Sequence, residues 1–202
     1  MSNGSKVHTD IQMNRNKITF LDDPSHFHEA TTKQYVDRKV RSLYFLSHEG
    51  HIPQLVDSVS KTGFIASSSS LLNVFRDNNW YPFNSARQRE WKPAGDGVGE
   101  WIQIKCPYAV EIWKIRLTGP LENAGRITSW KLSAKMRDSD QLADIYASDE
   151  TLGPRMQEFA IDSMNTKYKT YRITILRVEE GTVETGISYF QIFIKSRAKA
   201  WD

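Results

Sequence analysis

The sequence is poor in the residues that build several common kinds of site. Its 202 residues include one cysteine, Cys106, which excludes an intramolecular disulfide and a zinc site made of several thiolates. No apolar run approaches the roughly 20 residues that cross a bilayer, so we expect no membrane insertion. The first residues, MSNGSKVHTD, lack the apolar stretch of a secretory signal, so we expect none. A net charge of +3 without a long basic block does not indicate nucleic-acid binding.

Histidine is missing from most of the chain. All five histidines lie at or before His51, whereas all six tryptophans lie at or after Trp80. A Ser–His–Asp triad is therefore excluded from the later part. Its carboxylates show no spacing typical of a glycosidase pair, and we expect solvated loop charges at Glu100, Asp138, Asp149 and Glu158. We predict a protein that is not an enzyme.

The asymmetry of histidine and tryptophan divides the chain into residues 1–60 and 61–202, with the boundary in the polar connection Leu55–Lys61. In the first part, Ile11–Leu21 reads as two short extended pieces around an asparagine-rich turn. Glu29–Leu46 lacks glycine and proline, and the spacing of Val36, Val40 and Leu43 by four and three is that of a coiled-coil seam. A helix of this length is marginal alone in water, so we expect it to associate with copies of itself.

The second part has the period-two alternation of half-buried antiparallel strands. Five stretches carry it: Trp101–Lys105, Ile112–Leu117, Trp130–Met136, Tyr171–Leu176 and Tyr189–Ile194. Turn-rich segments separate them, and no β–α–β rhythm is present, so the pattern predicts a β-sandwich or barrel.

Residues 10–37 resemble a recurrent segment of phage and viral tail-fibre proteins. Asp10–Pro24 reads DIQMNRNKITFLDDP and Glu29–Asp37 reads EATTKQYVD, and both pieces have counterparts in those families in the same order. The resemblance implies a homotrimeric fibre shaft whose three chains wrap together and lead into a short helical bundle. Ser25–His28 departs from the family, which usually has small polar residues there.

Residues 63–194 are similar to the galactose-binding-like jelly roll of discoidin (F5/8 type C) domains and many carbohydrate-binding modules. The order and spacing of short motifs carry the similarity: Ala66–Ser70, Asp77–Trp80, Gly99–Ile104, Glu111–Leu117, Tyr171–Ile175 and Tyr189–Phe193. The predicted fold is therefore mainly β. It is an antiparallel sandwich preceded by a short extended shaft and a coiled-coil-like helix, in a homotrimer.

Together the two resemblances imply a virion fibre whose head attaches the virus to a host-surface glycan or glycoprotein. The expected location is the virion, after assembly in the host cytoplasm or nucleus beside other virion proteins. Three heads on one stalk raise avidity by roughly 10²–10⁴. One alternative is a structural or adaptor protein whose jelly roll docks another virion protein. A less favoured alternative is an enzyme that trims host glycans.

Ligands of this fold usually meet the loops at one end of the sandwich, where aromatic faces and charged groups hold sugars. The loop-placed candidates are Trp80, Tyr81, Arg87, Arg89, Trp91, Asn123, Arg126 and Arg155. We assign the strand residues Trp101, Trp113 and Trp130 to the core. The alternative for Trp80 and Trp91 is that they also cap the core. If they bind ligand, Trp91→Ala and Arg89→Ala abolish binding and leave the thermal melt intact.

Two metal sites are conceivable. Related jelly rolls often hold structural calcium, and Asp77 and Asn79 stand near the matching position, where the alternative is a plain turn stabilised by these side chains. His26 and His28 point to one side of an extended segment, so a trimer would present six imidazoles to a transition metal such as iron. The alternative for the histidines is an exposed turn beside Pro24.

Overall fold

The computed structural model describes five stretches of the chain, all within the compact unit Arg38–Asp202: residues 50–60, 62–72, 79–86, 89–121 and 125–195. Within them the strands are β1 (Ile65–Ser68), β2 (Trp101–Val110), β3 (Ile112–Thr118), β4 (Ile127–Lys135), β5 (Ala143–Ser148), β6 (Gln157–Ala160), β7 (Tyr168–Val178) and β8 (Tyr189–Ile194). A 3-10 helix spans Tyr81–Phe83. These residues contain no α-helix.

The strands form two antiparallel sheets. One sheet has the order β1-β2-β7-β4-β5 and the other the order β6-β3-β8, and the apolar faces of both contribute to one core. The predicted mainly β, antiparallel sandwich is therefore confirmed. The predicted shaft, helix and seam, including Val36, Val40 and Leu43, lie outside the described residues.

The alternation of apolar and polar residues in the sequence correctly located the strands that bury one face in the core. All five predicted stretches fall on β2, β3, β4, β7 and β8. The strands that the prediction missed, β1, β5 and β6, are short or largely exposed and lie at sheet edges. An edge strand that buries few side chains has no apolar alternation to detect.

The core lies between the sheets and is built from alternate residues of the long strands. Its fully buried members include Ile102, Ile104, Ile115, Leu117, Trp130, Leu132, Ile173, Ile175, Phe190 and Ile192. Each such side chain stabilises the fold by about 1.5–3 kcal/mol relative to an exposed one. Trp130 packs edge-on against Phe159 of β6, with 4.8 Å between the ring centroids, so the indole joins the two sheets.

Two strand tryptophans lie outside the core, contrary to the prediction. Trp101 alternates with buried Ile102 and therefore faces outward, where the Arg172 guanidinium stacks 3.7 Å from the centroid of its ring. Trp113 is 42% exposed because β3 carries a bulge: Ile112 pairs with Ile194 but Lys114 pairs with Phe193. The extra residue reverses the parity of the strand, which places both Ile112 and Ile115 inward and Trp113 outward.

Residues 50–60 pack on the sandwich, although the sequence analysis placed them with the shaft. The Ile52 amide donates to the Ile192 carbonyl at 3.0 Å, and Ile194 donates to Gly50 at 3.0 Å, so this segment lines the free edge of β8. The Leu55 side chain is fully buried. The sandwich thus includes residues before position 61, and whatever precedes Gly50 lies outside the described residues.

The antiparallel order brings the long connections to one end of the sandwich. Strands β1, β3, β5 and β7 all end there, so the loops 69–100, 119–126, 149–156 and 179–188 converge. We call this the loop end. The connections at the opposite end are the shorter segments 136–142 and 161–167 and the single residue Glu111.

Candidate functional site: the loop end

Main-chain hydrogen bonds lock the converging loops together. Trp91 and Ile187 exchange two of them, at 2.9 and 3.0 Å, and join loop 69–100 to loop 179–188. The Gly125 amide donates to the Glu184 carbonyl at 2.9 Å and attaches loop 119–126. At Gly186 a Cβ atom would lie 2.6 Å from the Trp91 carbonyl oxygen, so the close approach of these loops depends on glycine.

An ionic cluster on Lys92 adds to this lock. The Lys92 ammonium contacts Glu90 at 3.0 Å and also pairs with Glu184 on the neighbouring loop. The hydrogen bond with Glu184 raises the pKa of Lys92 most, with a further contribution from Glu90. The second oxygen of Glu90 accepts the Leu121 amide at 2.8 Å. The cluster therefore links three loops and holds the loop end in one conformation.

An open groove lies beside this lock, between loops 119–126 and 149–156. It encloses about 640 Å³ and is lined by Arg126, Thr151, Gly153, Pro154, Arg155, Met156 and Gln157. Met156 is 54% exposed. The lining therefore combines guanidinium and hydroxyl donors with apolar surface, which is the mixture that holds a polar ligand with C–H faces.

The floor of the groove is fixed by backbone contacts. Leu152 is fully buried, and its amide donates to the Ile127 carbonyl at 2.8 Å. The Gly119 amide donates to the Gly153 carbonyl at 2.9 Å, and a Cβ on Gly119 would meet the Leu152 carbonyl oxygen at 2.6 Å. Both anchors hold loop 149–156 against the ends of β3 and β4, so the groove is preformed.

Hydrogen bonds fix the backbone of Arg126, whereas its guanidinium is exposed. Its amide donates to the Glu179 carboxylate at 3.0 Å, and the Glu179 amide donates to the Arg126 carbonyl at 2.9 Å. The side chain runs beside Gly153, 3.8 Å from the position a Cβ would take, and is 57% exposed. It can therefore donate hydrogen bonds into the groove.

A second polar and aromatic cluster surrounds the 3-10 helix. The exposed Arg89 guanidinium lies 5.6 Å from the Tyr81 ring centroid and donates to the Tyr81 hydroxyl at 3.3 Å. Trp80 packs edge-on against Tyr81, with 4.8 Å between centroids, but is itself buried. We call this pair, Tyr81 and Arg89, the Tyr81 cluster.

The structure separates the predicted ligand residues into three groups. Arg126 and Arg155 lie in the groove, and Tyr81 and Arg89 form the Tyr81 cluster. Trp80 and Trp91 are buried in the core, as the alternative interpretation had it, so neither indole offers an open face to a sugar. Trp91 also donates its indole N–H to the Ser70 carbonyl at 3.0 Å. The remaining candidates lie outside the described residues: Arg87 and Asn123.

The metal predictions rest mostly on residues outside the described stretches, since Asp77, His26 and His28 all lie there. Asn79 is described, and its side-chain oxygen accepts a hydrogen bond from the Ser68 hydroxyl. In the stretches that the structure describes, no three His, Cys, Asp or Glu side chains group as metal ligands. Calcium at Asp77 and Asn79 stays a prediction.

The four carboxylates considered for catalysis each have a partner of their own, and Glu100 accepts hydrogen bonds from the Ser69 and Ser70 hydroxyls. Asp138 pairs with Lys105 at 2.5 Å, Asp149 with Arg177 at 2.6 Å, and Glu158 with Arg116 at 2.5 Å. A hydrogen bond from Lys105 lowers the pKa of Asp138, and one from Arg116 lowers that of Glu158. A hydrogen bond from Ser129, followed by one from Arg177, lowers the pKa of Asp149. The general acid of a glycosidase needs the opposite shift.

Sequence reasoning missed most of the groove wall. Thr151, Gly153, Pro154 and Met156 lie in a loop whose sequence signal is its Gly-Pro turn, and Gln157 begins β6, an edge strand that was also missed. The Lys92 cluster was also missed, because Glu184 lies far from Glu90 and Lys92 in the sequence. No helix within the described residues is long and apolar enough to span a membrane.

Comparison with known proteins identifies the fold through structure alone. No protein-family model and no curated protein matches the sequence. Chitosan-binding module 1 of a chitosanase/glucanase from Paenibacillus sp. IK-5 is 14% identical, with a TM-score of 0.53 over 70% of this chain and 99% of the module. Module 2 of that enzyme, in complex with chitotriose, is 12% identical, with a TM-score of 0.53 over 63% of this chain and 94% of the module.

A third neighbour is the family 32 carbohydrate-binding module of NanJ from Clostridium perfringens, in complex with galactose. It is 13% identical, with a TM-score of 0.52 over 64% of this chain and 93% of the module. A putative alpha-L-fucosidase from Bacteroides thetaiotaomicron also matches, over 28% of its chain, with a TM-score of 0.53 and 14% identity. Three of these neighbours are carbohydrate- or chitosan-binding modules, and the fourth match covers a minor part of a glycosidase chain. The described part of this protein has the galactose-binding-like jelly-roll fold of family 32 carbohydrate-binding modules.

Proposed function

We propose that this protein binds carbohydrate in the groove at the loop end. The observation that carries the proposal is the groove itself, about 640 Å³ in volume, lined by Arg126, Thr151 and Arg155 as donors and by Pro154 and Met156 as apolar surface. The volume lies in the usual range of small-ligand sites. Sugars need both kinds of contact, because their hydroxyls accept hydrogen bonds while their C–H faces prefer apolar surface.

The fold supports the same function. Neighbours of this fold were solved with galactose and with chitotriose. The preformed floor, anchored at Leu152 and Gly119, reduces the conformational entropy that a ligand must overcome to order its site. These observations favour a binding module over a catalytic domain.

A groove-filling variant tests the proposal. The full-length protein is applied to a glycan array, and the strongest glycan is titrated by calorimetry. Thr151→Trp places an indole in the groove without changing charge, and we expect at least about tenfold weaker binding, equal to 1.4 kcal/mol. The control Ser139→Trp, in an exposed turn at the opposite end, leaves the affinity unchanged.

The same experiment distinguishes ligand binding in the groove from ligand binding at the Tyr81 cluster. If Thr151→Trp leaves the affinity unchanged while Arg89→Ala weakens it tenfold, the ligand binds at the cluster and the groove assignment is wrong. If no glycan binds, carbohydrate binding itself is refuted. Stable capture of another virion protein would then favour the adaptor alternative.

The proposed setting is a trimeric fibre on a virion that carries this head to the host surface. Its support is the resemblance of residues 10–37 to viral fibre segments and the seam at Val36, Val40 and Leu43. Light scattering on the full chain gives the test. Three chains of 23.3 kDa give a mass near 70 kDa, and a monomeric mass at micromolar concentration refutes the fibre.

A further inference from the structure

We propose that the groove selects an acidic saccharide, a sugar whose carboxylate or sulfate group is bound by Arg126 and Arg155. The inference rests on the proposed carbohydrate function and names its ligand class. The two guanidinium groups come from different loops and line the same groove. Both residues are exposed, so both guanidinium groups are available to solvent and to a ligand.

Among the residues that the structure describes, the lining of the groove is cationic and has no acidic member. Its seven residues are two arginines and five uncharged residues. Arg155 has no ion-pair partner among the described residues. Arg126 has a weak one, with 3.8 Å between its Nε and the Glu179 carboxylate.

Two acidic side chains near the groove have partners of their own. The Glu179 carboxylate accepts the Arg126 backbone amide at 3.0 Å, so one of its oxygens is bound to the main chain. Asp149, in the same loop as Arg155, pairs with Arg177 at 2.6 Å. Both carboxylates hold the loops, and the charged side chains among the described lining residues are the two arginines. A neutral sugar would offer these two arginines no opposite charge.

Arginine is also the residue whose geometry suits this ligand. Its planar fork of N–H groups matches the oxygens of a carboxylate or a sulfate and can bind two of them at once. Hydrogen bonds to charged groups are stronger than those between neutral groups. Two such donors in one groove should therefore discriminate an acidic sugar from its neutral counterpart.

The test compares matched oligosaccharides against the full-length protein. The probes are a galacturonic acid trimer, a 6-sulfated galactose trimer and a neutral galactose trimer, titrated by calorimetry beside an array that includes sialylated glycans. We expect an acidic probe to bind at least about tenfold more tightly than the neutral one. Raising the salt to 0.5 M should weaken the acidic probe alone, since salt screens exposed charges. The carboxylated and sulfated probes distinguish the two sources of negative charge.

Charge-neutral variants locate the effect. Arg126→Gln and Arg155→Gln should each weaken the acidic probe about tenfold and weaken the neutral one much less, because glutamine keeps a hydrogen-bond donor but loses the charge. The control Arg137→Gln removes the same charge from an exposed turn at the opposite end and should change nothing. An equal loss in the Arg137 variant would show attraction by net charge alone and would overturn the inference.

The two proposals fail in different ways. If the neutral trimer or another neutral glycan binds as tightly as the acidic ones, and Thr151→Trp weakens it, the acidic preference is wrong while carbohydrate binding in the groove stands. If no glycan of any charge binds, the carbohydrate function falls and this inference with it.

Discussion

Replacing Trp91 with alanine should lower the stability of the sandwich rather than remove a ligand contact. The Trp91 indole is fully buried. The Trp91 backbone exchanges hydrogen bonds with Ile187 and so joins loop 69–100 to loop 179–188. The lost indole hydrogen bond to the Ser70 carbonyl adds about 0.5–1.5 kcal/mol to the cost. The cavity dominates, and a buried tryptophan-to-alanine change costs about 3–5 kcal/mol.

For a domain of this size we expect the melting temperature to fall by about 6–20 °C. The assay is thermal unfolding followed by circular dichroism, with urea denaturation at 25 °C as a second measurement. The matched control is Trp113→Ala, because Trp113 is 42% exposed. Its main described partner is the Lys114 ammonium, 4.9 Å from the indole ring centroid. Such an exposed cation–π contact is worth about 0.5–1 kcal/mol, so the control should melt within about 4 °C of the wild type.

One result would refute this reasoning. If Trp91→Ala melts with the wild type while glycan binding is lost, the indole faces the ligand and its place in the core is wrong. Trp91→Phe adds a graded test, because the smaller ring keeps part of the packing. Its melting temperature should lie between those of the wild type and the alanine variant.

Three further predictions concern packing, thiol reactivity and pH. Gly119→Ala should destabilise the sandwich by about 1–3 kcal/mol in urea unfolding and weaken groove binding, because the new Cβ would meet the Leu152 carbonyl at 2.6 Å. Burial raises the pKa of the Cys106 thiol to about 12, so a maleimide at pH 8 should label it only after denaturation. Hydrogen bonds from Ser133 and then Lys131 lower the pKa of Asp144 below its ordinary 3.8. The stabilisation that this carboxylate provides is therefore present at neutral pH and is lost as the pH falls below about 4.

Each of these has a control or a contradicting result. Gly153→Ala should be nearly neutral for stability, because its nearest contacts lie at an ordinary 3.8 Å; a loss equal to that of Gly119→Ala would contradict the packing argument. Rapid labelling of native Cys106 would contradict its burial. The stability difference between the wild type and Asp144→Asn, measured in urea from pH 7 down to pH 2.5, should shrink with acidity. A difference that stays constant would show that ionisation of Asp144 does not matter.

Part of the groove could be predicted from the sequence, and part could not. Arg126 and Arg155 were identified as loop cations, because the turn residues around them are visible in the sequence. Their meeting in one groove depends on the pairing of loop 149–156 with Ile127 and Gly119. Contacts of this kind join residues that no local pattern relates. The core assignment was confirmed for Trp130 and was wrong for Trp113, which a bulge paired with β8 turns to the outer face.

The sequence by itself determined the class of fold, because period-two alternation in β2, β4, β7 and β8 reports directly which face of a strand meets the core. Only the tertiary structure decided where the aromatic side chains lie. A one-residue bulge in β3 places Trp113 on the outer face of its sheet, and hydrogen bonds exchanged with Ile187 hold the buried Trp91 against loop 179–188. Both arrangements depend on a partner strand or loop that is distant in the sequence, so the local sequence around these two tryptophans carries no signal of them.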